Sequence, residues 1–215
     1  MIALLRLFAV VAMAVAFAGC GSPYYSTDSI EAWVVDADTG KPIEGAVVTA
    51  NWQLVSFGLD SGGRKLRQLA VTETRTDKNG RFFVPGIIRP NITFDELGEE
   101  DPQILIFKSG YQYFRVVNNY PTGRESPGAH RTSWARGKTI KLEKDNTVGE
   151  RRAIGLISLT LGLSDISSSG DSRQVSQMIR ALVCERKRLM RIDLKASMFS
   201  IPGETGKEGD CEEKS

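Results

Sequence analysis

Between residues 30 and 143 the chain is interrupted by turn-forming clusters so often that no helix of ordinary length fits, and the segments between them favour strands. In the segment 30–36, Ile30, Ala32 and Val34 fall on one face at period two. Asp36-Ala37-Asp38-Thr39-Gly40-Lys41-Pro42 follows as dense turn chemistry: short carboxylates that cap their own backbone, a glycine for positive φ, a proline to fix the exit. A second strand places Ala46, Val48, Ala50, Trp52 and Leu54 on one face, with Trp52 in the core. After a glycine-rich break at 58–63, the segment 66–76 is again β-prone, so that 53–70 makes a long hairpin. Asp77-Lys78-Asn79-Gly80 predicts a tight hairpin, with Arg81–Val84 pairing back on the strand before it. The segments 103–108, 111–117 and 138–143 complete seven strands. Two packed antiparallel sheets are the economical way to bury them, so the chain is predicted to be mainly β.

Three pieces of this region also carry a family resemblance. Val34-Val35-Asp36-Ala37-Asp38-Thr39-Gly40-Lys41-Pro42-Ile43-Glu44-Gly45-Ala46-Val47-Val48, then Thr76-Asp77-Lys78-Asn79-Gly80-Arg81-Phe82, then Lys108-Ser109-Gly110-Tyr111 resemble, in that order, the carboxypeptidase regulatory-like domain. The resemblance covers about residues 30–143 and implies a seven-stranded transthyretin-like sandwich, an accessory or spacer module on exported bacterial proteins. It brings no catalytic residue, because that domain is not the catalytic part of its family.

The N-terminus fixes where such a module works. Arg6 precedes an apolar run from Leu7 to Ala18, too short to span a bilayer comfortably and ending in small residues before Cys20. Phe17-Ala18-Gly19-Cys20 resembles the lipobox of bacterial lipoproteins, with Phe17 where the family usually has Leu. The resemblance implies that 1–19 is a removable signal and that Cys20 carries lipid; the alternative is a secreted protein with a cysteine at the cut. Residues 20–29 read as a polar tether. Gly21 is not the Asp that commonly retains lipoproteins at an inner membrane, so the expected location is the cell envelope, on an outer membrane facing the periplasm.

Beyond Glu143, residues 144–201 read as a helical pair. Ile154, Ile157 and Leu161 mark a first helix. Val175, Met178, Ile179, Leu182, Val183 and Leu189 recur at 3.6-residue spacing in a second, with Asp171 or Ser172 as its cap. Arg180, Glu185, Arg186, Lys187, Arg188 and Arg191 are assigned to its outer face; such a face is either solvated on a docked helix or laid on an anionic membrane. Residues 202–215 have a disordered composition. Cys184 and Cys211 are an even pair in an oxidising compartment: either bridged, or Cys184 buried and Cys211 free.

Chemistry is sparse. A single histidine, His130, cannot build a zinc peptidase centre, and it sits among Pro and Gly as an exposed loop residue. No Gly-x-Ser-x-Gly elbow occurs, and the Asp36/Asp38 and Asp77/Asn79 clusters fail calcium-loop spacing, so no cofactor, metal site or catalytic residue is expected. Asp95, Glu96, Glu99, Glu100 and Asp101 read as a solvated acidic loop. A net charge of +2 gives no reason to expect nucleic acid. The loop 118–137 is the candidate partner-binding segment, through Arg131, Trp134 and Arg136, because Arg and Trp together make interface anchors; otherwise it is an insertion with Trp134 tucked on the sandwich. The sequence thus points to a non-catalytic, membrane-tethered interaction or structural module. A carbohydrate- or peptidoglycan-binding lipoprotein is the alternative, and an outer-membrane part of a secretion machine is a fold-level analogy.

Overall fold

The computed structural model describes residues 23–57, 64–93, 95–98, 100–118, 130–145, 155–159, 172–191, 201 and 211. The expected export signal 1–19, Cys20, residues 119–129 of the expected binding loop, Ile154 and Leu161 of the first expected helix, Asp171 and all of the tail 202–215 but Cys211 lie outside them. Among the described residues the strands are β1 (Tyr24–Thr27), β2 (Ile30–Asp36), β3 (Val47–Phe57), β4 (Arg64–Arg75), β5 (Arg81–Val84), β6 (Ile88–Pro90), β7 (Glu96–Leu97), β8 (Gln103–Phe107), β9 (Phe114–Val116), β10 (His130–Arg131) and β11 (Thr139–Leu142). They form a large sheet ordered β4-β3-β8-β9, with β7 also on β3, and two three-stranded sheets ordered β11-β2-β5 and β10-β1-β6.

The mainly β sandwich expected from the sequence is what forms. Ile30, Ala32 and Val34 of β2, Phe82 and Val84 of β5 and Ile140 and Leu142 of β11 face Val48, Ala50 and Trp52 of β3 and Ile104 and Ile106 of β8 across one apolar interior. Alternation on each strand produces this, since every second side chain points inward. β8 breaks the alternation because both of its faces are covered. Leu105 and Phe107, with Val47, turn the other way and pack on Leu156, Leu159, Val175, Met178, Ile179 and Leu182. The helical region, with residues 155–159 and α1 (Ser176–Met190), is therefore a third layer on the outside of the large sheet. No helix among the described residues is long and apolar enough to cross a membrane.

Local chemistry explains the turns. One Asp36 oxygen accepts from Thr39 N at 2.8 Å, Asp38 N at 3.1 Å and the Thr39 hydroxyl at 2.9 Å, while the other accepts from Tyr111 Oη at 3.0 Å. The Thr39 backbone N–H holds this carboxyl well below the usual carboxylate range. Asp77 accepts in the same way from Asn79 N and Arg81 N, closing the turn that holds Gly80 at φ +71°.

Several sequence expectations change. The turn at Asn79-Gly80 reverses the chain but does not make a hairpin ladder: β5 pairs antiparallel with β2, Ile30 opposite Val84, so the turn is a corner that carries the chain between sheets. Two pairings are parallel, β11 on β2 and β10 on β1. Residues 24–27 of the expected tether are a strand, because Tyr25 and Thr27 turn inward and Tyr25 Oη donates to Asn91 Oδ1 at 2.6 Å. Glu185 is not on the outer face of α1. It is buried, accepts from Ser109 Oγ at 2.6 Å, and is bound by both Nε and Nη2 of Arg188. At the start of α1, the N-cap residue Val175 makes no side-chain cap, and the Glu73 carboxylate of β4 accepts from Gln177 N and Met178 N, each at 2.8 Å. A neighbouring strand thereby satisfies amide donors that the helix itself leaves open, and brings negative charge to the positive end of its dipole. Cys184 of α1 is bonded to Cys211, with Cα atoms 5.4 Å apart.

Candidate functional site

The segment assigned to partner binding is built on β10 and the turn after it. Parallel pairing sets Ser26 opposite His130 and Thr27 opposite Arg131, so neighbouring side chains leave opposite faces of this small sheet. Arg131 goes inward. It is 6% exposed, and its guanidinium donates from Nε to Gly98 O at 3.3 Å and from Nη2 to Leu97 O at 3.2 Å. This corrects its assignment to the exposed trio: Arg131 is spent fastening the 95–101 loop beneath β10.

The same loop contains Asp101, 2% exposed. The β3 ladder shifts register between Trp52 and Gln53, and there Gln53 N donates to Asp101 Oδ2 at 2.6 Å while Gly98 N donates to Gln53 O at 3.0 Å. Asp95 is also buried and accepts from Ser56 Oγ and Thr93 Oγ1. The acidic loop is therefore partly structural rather than wholly solvated. Asn118 completes the stitching: its Nδ2 donates to Asp101 O at 2.8 Å and Thr132 O at 2.9 Å, and its Oδ1 accepts from Trp134 N at 2.8 Å.

Burial pushes the Asp101 carboxyl up to about 7, against the Gln53 N–H and the Arg131 charge, which pull it down. The folded state thus holds this proton more tightly than an ordinary carboxyl near 3.8 does. Its stabilising contribution is complete below the ordinary value and is lost as pH rises through about 7, at a slope of up to about 1.4 kcal/mol per pH unit. Asp101→Asn keeps an acceptor for Gln53 N and removes the titration. Urea midpoints of the variant relative to the native protein are expected to rise between pH about 4 and about 7; a difference that stays flat with pH would show that Asp101 titrates normally.

Above this stitching, residues 132–138 present their side chains on a fixed turn. Ala135 N donates to Ser133 Oγ, Gly137 N to Glu31 O and Trp33 N to Lys138 O, and Ala135 is packed into the main core. Trp134 is held 37% exposed. Arg136 Nη1 lies 3.6 Å from Asp28 Oδ2, which also accepts from Thr132 Oγ1 at 2.8 Å. His130 is exposed as expected, but on a strand; its Nδ1 is 3.1 Å from Ser26 Oγ and its Nε2 3.4 Å from Asp28 Oδ1. Hydroxyl, imidazole and carboxylate thus stand in a row, a clip that ties β10 to β1. Ser26 sits in a regular sheet rather than on a strained elbow, and Asp28 is shared with Arg136 and Thr132. The turn thus carries an exposed aromatic at Trp134 and, two residues on, a cation at Arg136 that faces Asp28. That combination suits recognition of a polar partner through a central aromatic contact.

No protein-family model matches this chain, and no curated protein matches it. Among solved structures it is similar to the 3-chlorocatechol 1,2-dioxygenase of Rhodococcus opacus 1CP, at 16% identity over 58% of this chain and 62% of that one, with a TM-score of 0.33. It is also similar to a streptococcal ancillary pilin, at 16% identity over 56% and 30% with a TM-score of 0.27. A third is the C-terminal domain of the shaft pilin of Lactobacillus rhamnosus GG, at 14% identity over 58% and 100% with a TM-score of 0.25. The chain spans less than two thirds of the length of the first two. Likeness at this level says nothing of activity or partner.

Proposed function

We propose that this chain is a non-catalytic, lipid-anchored envelope protein with a carboxypeptidase regulatory-like sandwich, and that it binds another envelope protein through the turn 132–138. The observation that carries the reading is Trp134, exposed on a turn whose backbone is fastened by Asn118 below it and by β2 beside it. An aromatic presented on a preordered backbone loses little conformational entropy on binding, which is what makes Trp an effective anchor. Cys20 supplies the lipid, and the outer membrane facing the periplasm is the proposed location.

Affinity capture from the native envelope tests this. Trp134→Ala together with Arg136→Ala is expected to abolish capture while shifting stability by no more than about 0.5–1 kcal/mol, since both side chains lie at the surface. Undiminished capture would sink the reading. A loss of about 3–5 kcal/mol from Trp134→Ala alone would make Trp134 a core plug instead. A glycan partner is the second reading, favoured by Arg136, paired with Asp28, two residues along the same turn from Trp134. Retention on purified sacculi stripped of protein, lost in the same double variant, would select it.

A further inference from the structure

The outward face of the β10-β1-β6 sheet has a feature that the turn 132–138 does not use. Antiparallel register puts Tyr24 opposite Pro90 and Ser26 opposite Ile88, so Tyr24, Ile88 and Pro90 share a face. Asn91 N donates to Pro23 O, which places Ile92 just past the end of this ladder, where the chain comes in from residue 22. Ile88 is 80% exposed, Ile92 82% and Tyr24 58%. Single exposed apolar residues are ordinary, but here Tyr24, Pro90 and Ile88 line one face along the length of β6, with Ile92 past its end.

The length of chain before that sheet decides what covers them. Because Pro23 is already hydrogen-bonded to Asn91, only Gly21 and Ser22 separate Cys20 from the folded domain. Three Cα–Cα steps reach at most about 11 Å, comparable to the headgroup layer on one side of a bilayer, which is roughly 5–8 Å thick. A chain held by lipid on Cys20 therefore keeps the start of β1 within roughly 6 Å of the headgroup surface. Tyrosine at the headgroup level with isoleucine beneath is the side-chain order that such an interface accommodates.

We infer that the face formed by Tyr24, Ile88 and Pro90, with Ile92 at its end, docks on the phospholipid surface that holds Cys20. The inference rests on the lipid-anchor reading. Its test separates the two. Ile88→Cys, Ile92→Cys and, on the other small sheet, Phe83→Cys are each made in the full chain, labelled with a polarity-sensitive fluorophore and reconstituted in phosphatidylethanolamine–phosphatidylglycerol vesicles. Nitroxide lipids are expected to quench the labels at 88 and 92 several-fold more than the label at 83, and aqueous iodide to do the reverse. Iodide quenching equal at all three positions would overturn the docking, and shielding of 88 and 92 from both quenchers would assign the face to a protein partner and overturn it too. Palmitate incorporation into the native chain and into Cys20→Ser is measured in parallel. Incorporation that depends on Cys20, with labels in water, overturns the face alone. No incorporation into the native chain overturns the anchor and the face with it.

Discussion

Gly80→Val is expected to destabilise the protein by about 3 kcal/mol or more, because two costs add at one residue. Gly80 has φ +71°, a conformation that costs a β-branched residue about 1–3 kcal/mol. A side chain there also has nowhere to go: a Cβ would stand 2.3 Å from Val34 O and 3.2 Å from Pro42 Cβ. Relief requires parting the corner from β2, and that would break the bond from Val34 N to Gly80 O. Gly40→Val is the matched control, since Gly40 has φ +67° but nothing within 4 Å of a Cβ; it should cost only the strain, about 1–3 kcal/mol. Chemical denaturation of the two variants separates strain from collision. Equal losses would mean that the contact with β2 contributes nothing.

Trp52→Ala is expected to cost about 3–5 kcal/mol, the range for truncating a large buried aromatic. Trp52 is fully buried in the main core, next to the register shift of β3. Its indole Nε1 has no hydrogen-bond partner among the described residues. Trp52→Phe therefore removes a buried donor along with some volume, and the two effects oppose each other. Its loss should be well below that of the alanine variant. Urea titration of both gives the answer, and a Phe variant as damaged as Ala would show that indole shape, not apolar burial, dominates the site.

What the sequence discloses here depends on the range of the chemistry involved. The inward faces of β2 and β3 are legible because alternation is local: Ile30, Ala32 and Val34 announce their face without reference to any partner. The destination of β5 is not, since Asn79 and Gly80 determine that the chain reverses but not which strand waits for it. β1 is hidden by a polar composition, its burial depending on Tyr25 finding Asn91 and the Asp95 carbonyl. Arg131 misleads for the same reason. Among Gly and Pro an arginine looks solvated, and only the carbonyls of Leu97 and Gly98, far away in sequence, draw it inside. Glu185 carries the helix period of an outer position, but Ser109 and Arg188 give its carboxylate enough partners to be buried. Trp134 and Arg136 were legible as surface residues, whereas the stitching by Asn118 that holds Trp134 out was not.

The large sheet is a party wall. Alternate residues of β8 belong to different interiors, Ile104 and Ile106 to one and Leu105 and Phe107 to the other. Among the described residues the strands end near residue 143, but the solvent-proof unit does not, because Val47, Leu105 and Phe107 are covered by the helical layer and Ile201. The two interiors hold each other in place through a strand one residue thick, and the helical region is as much a part of the folding unit as the sandwich it covers.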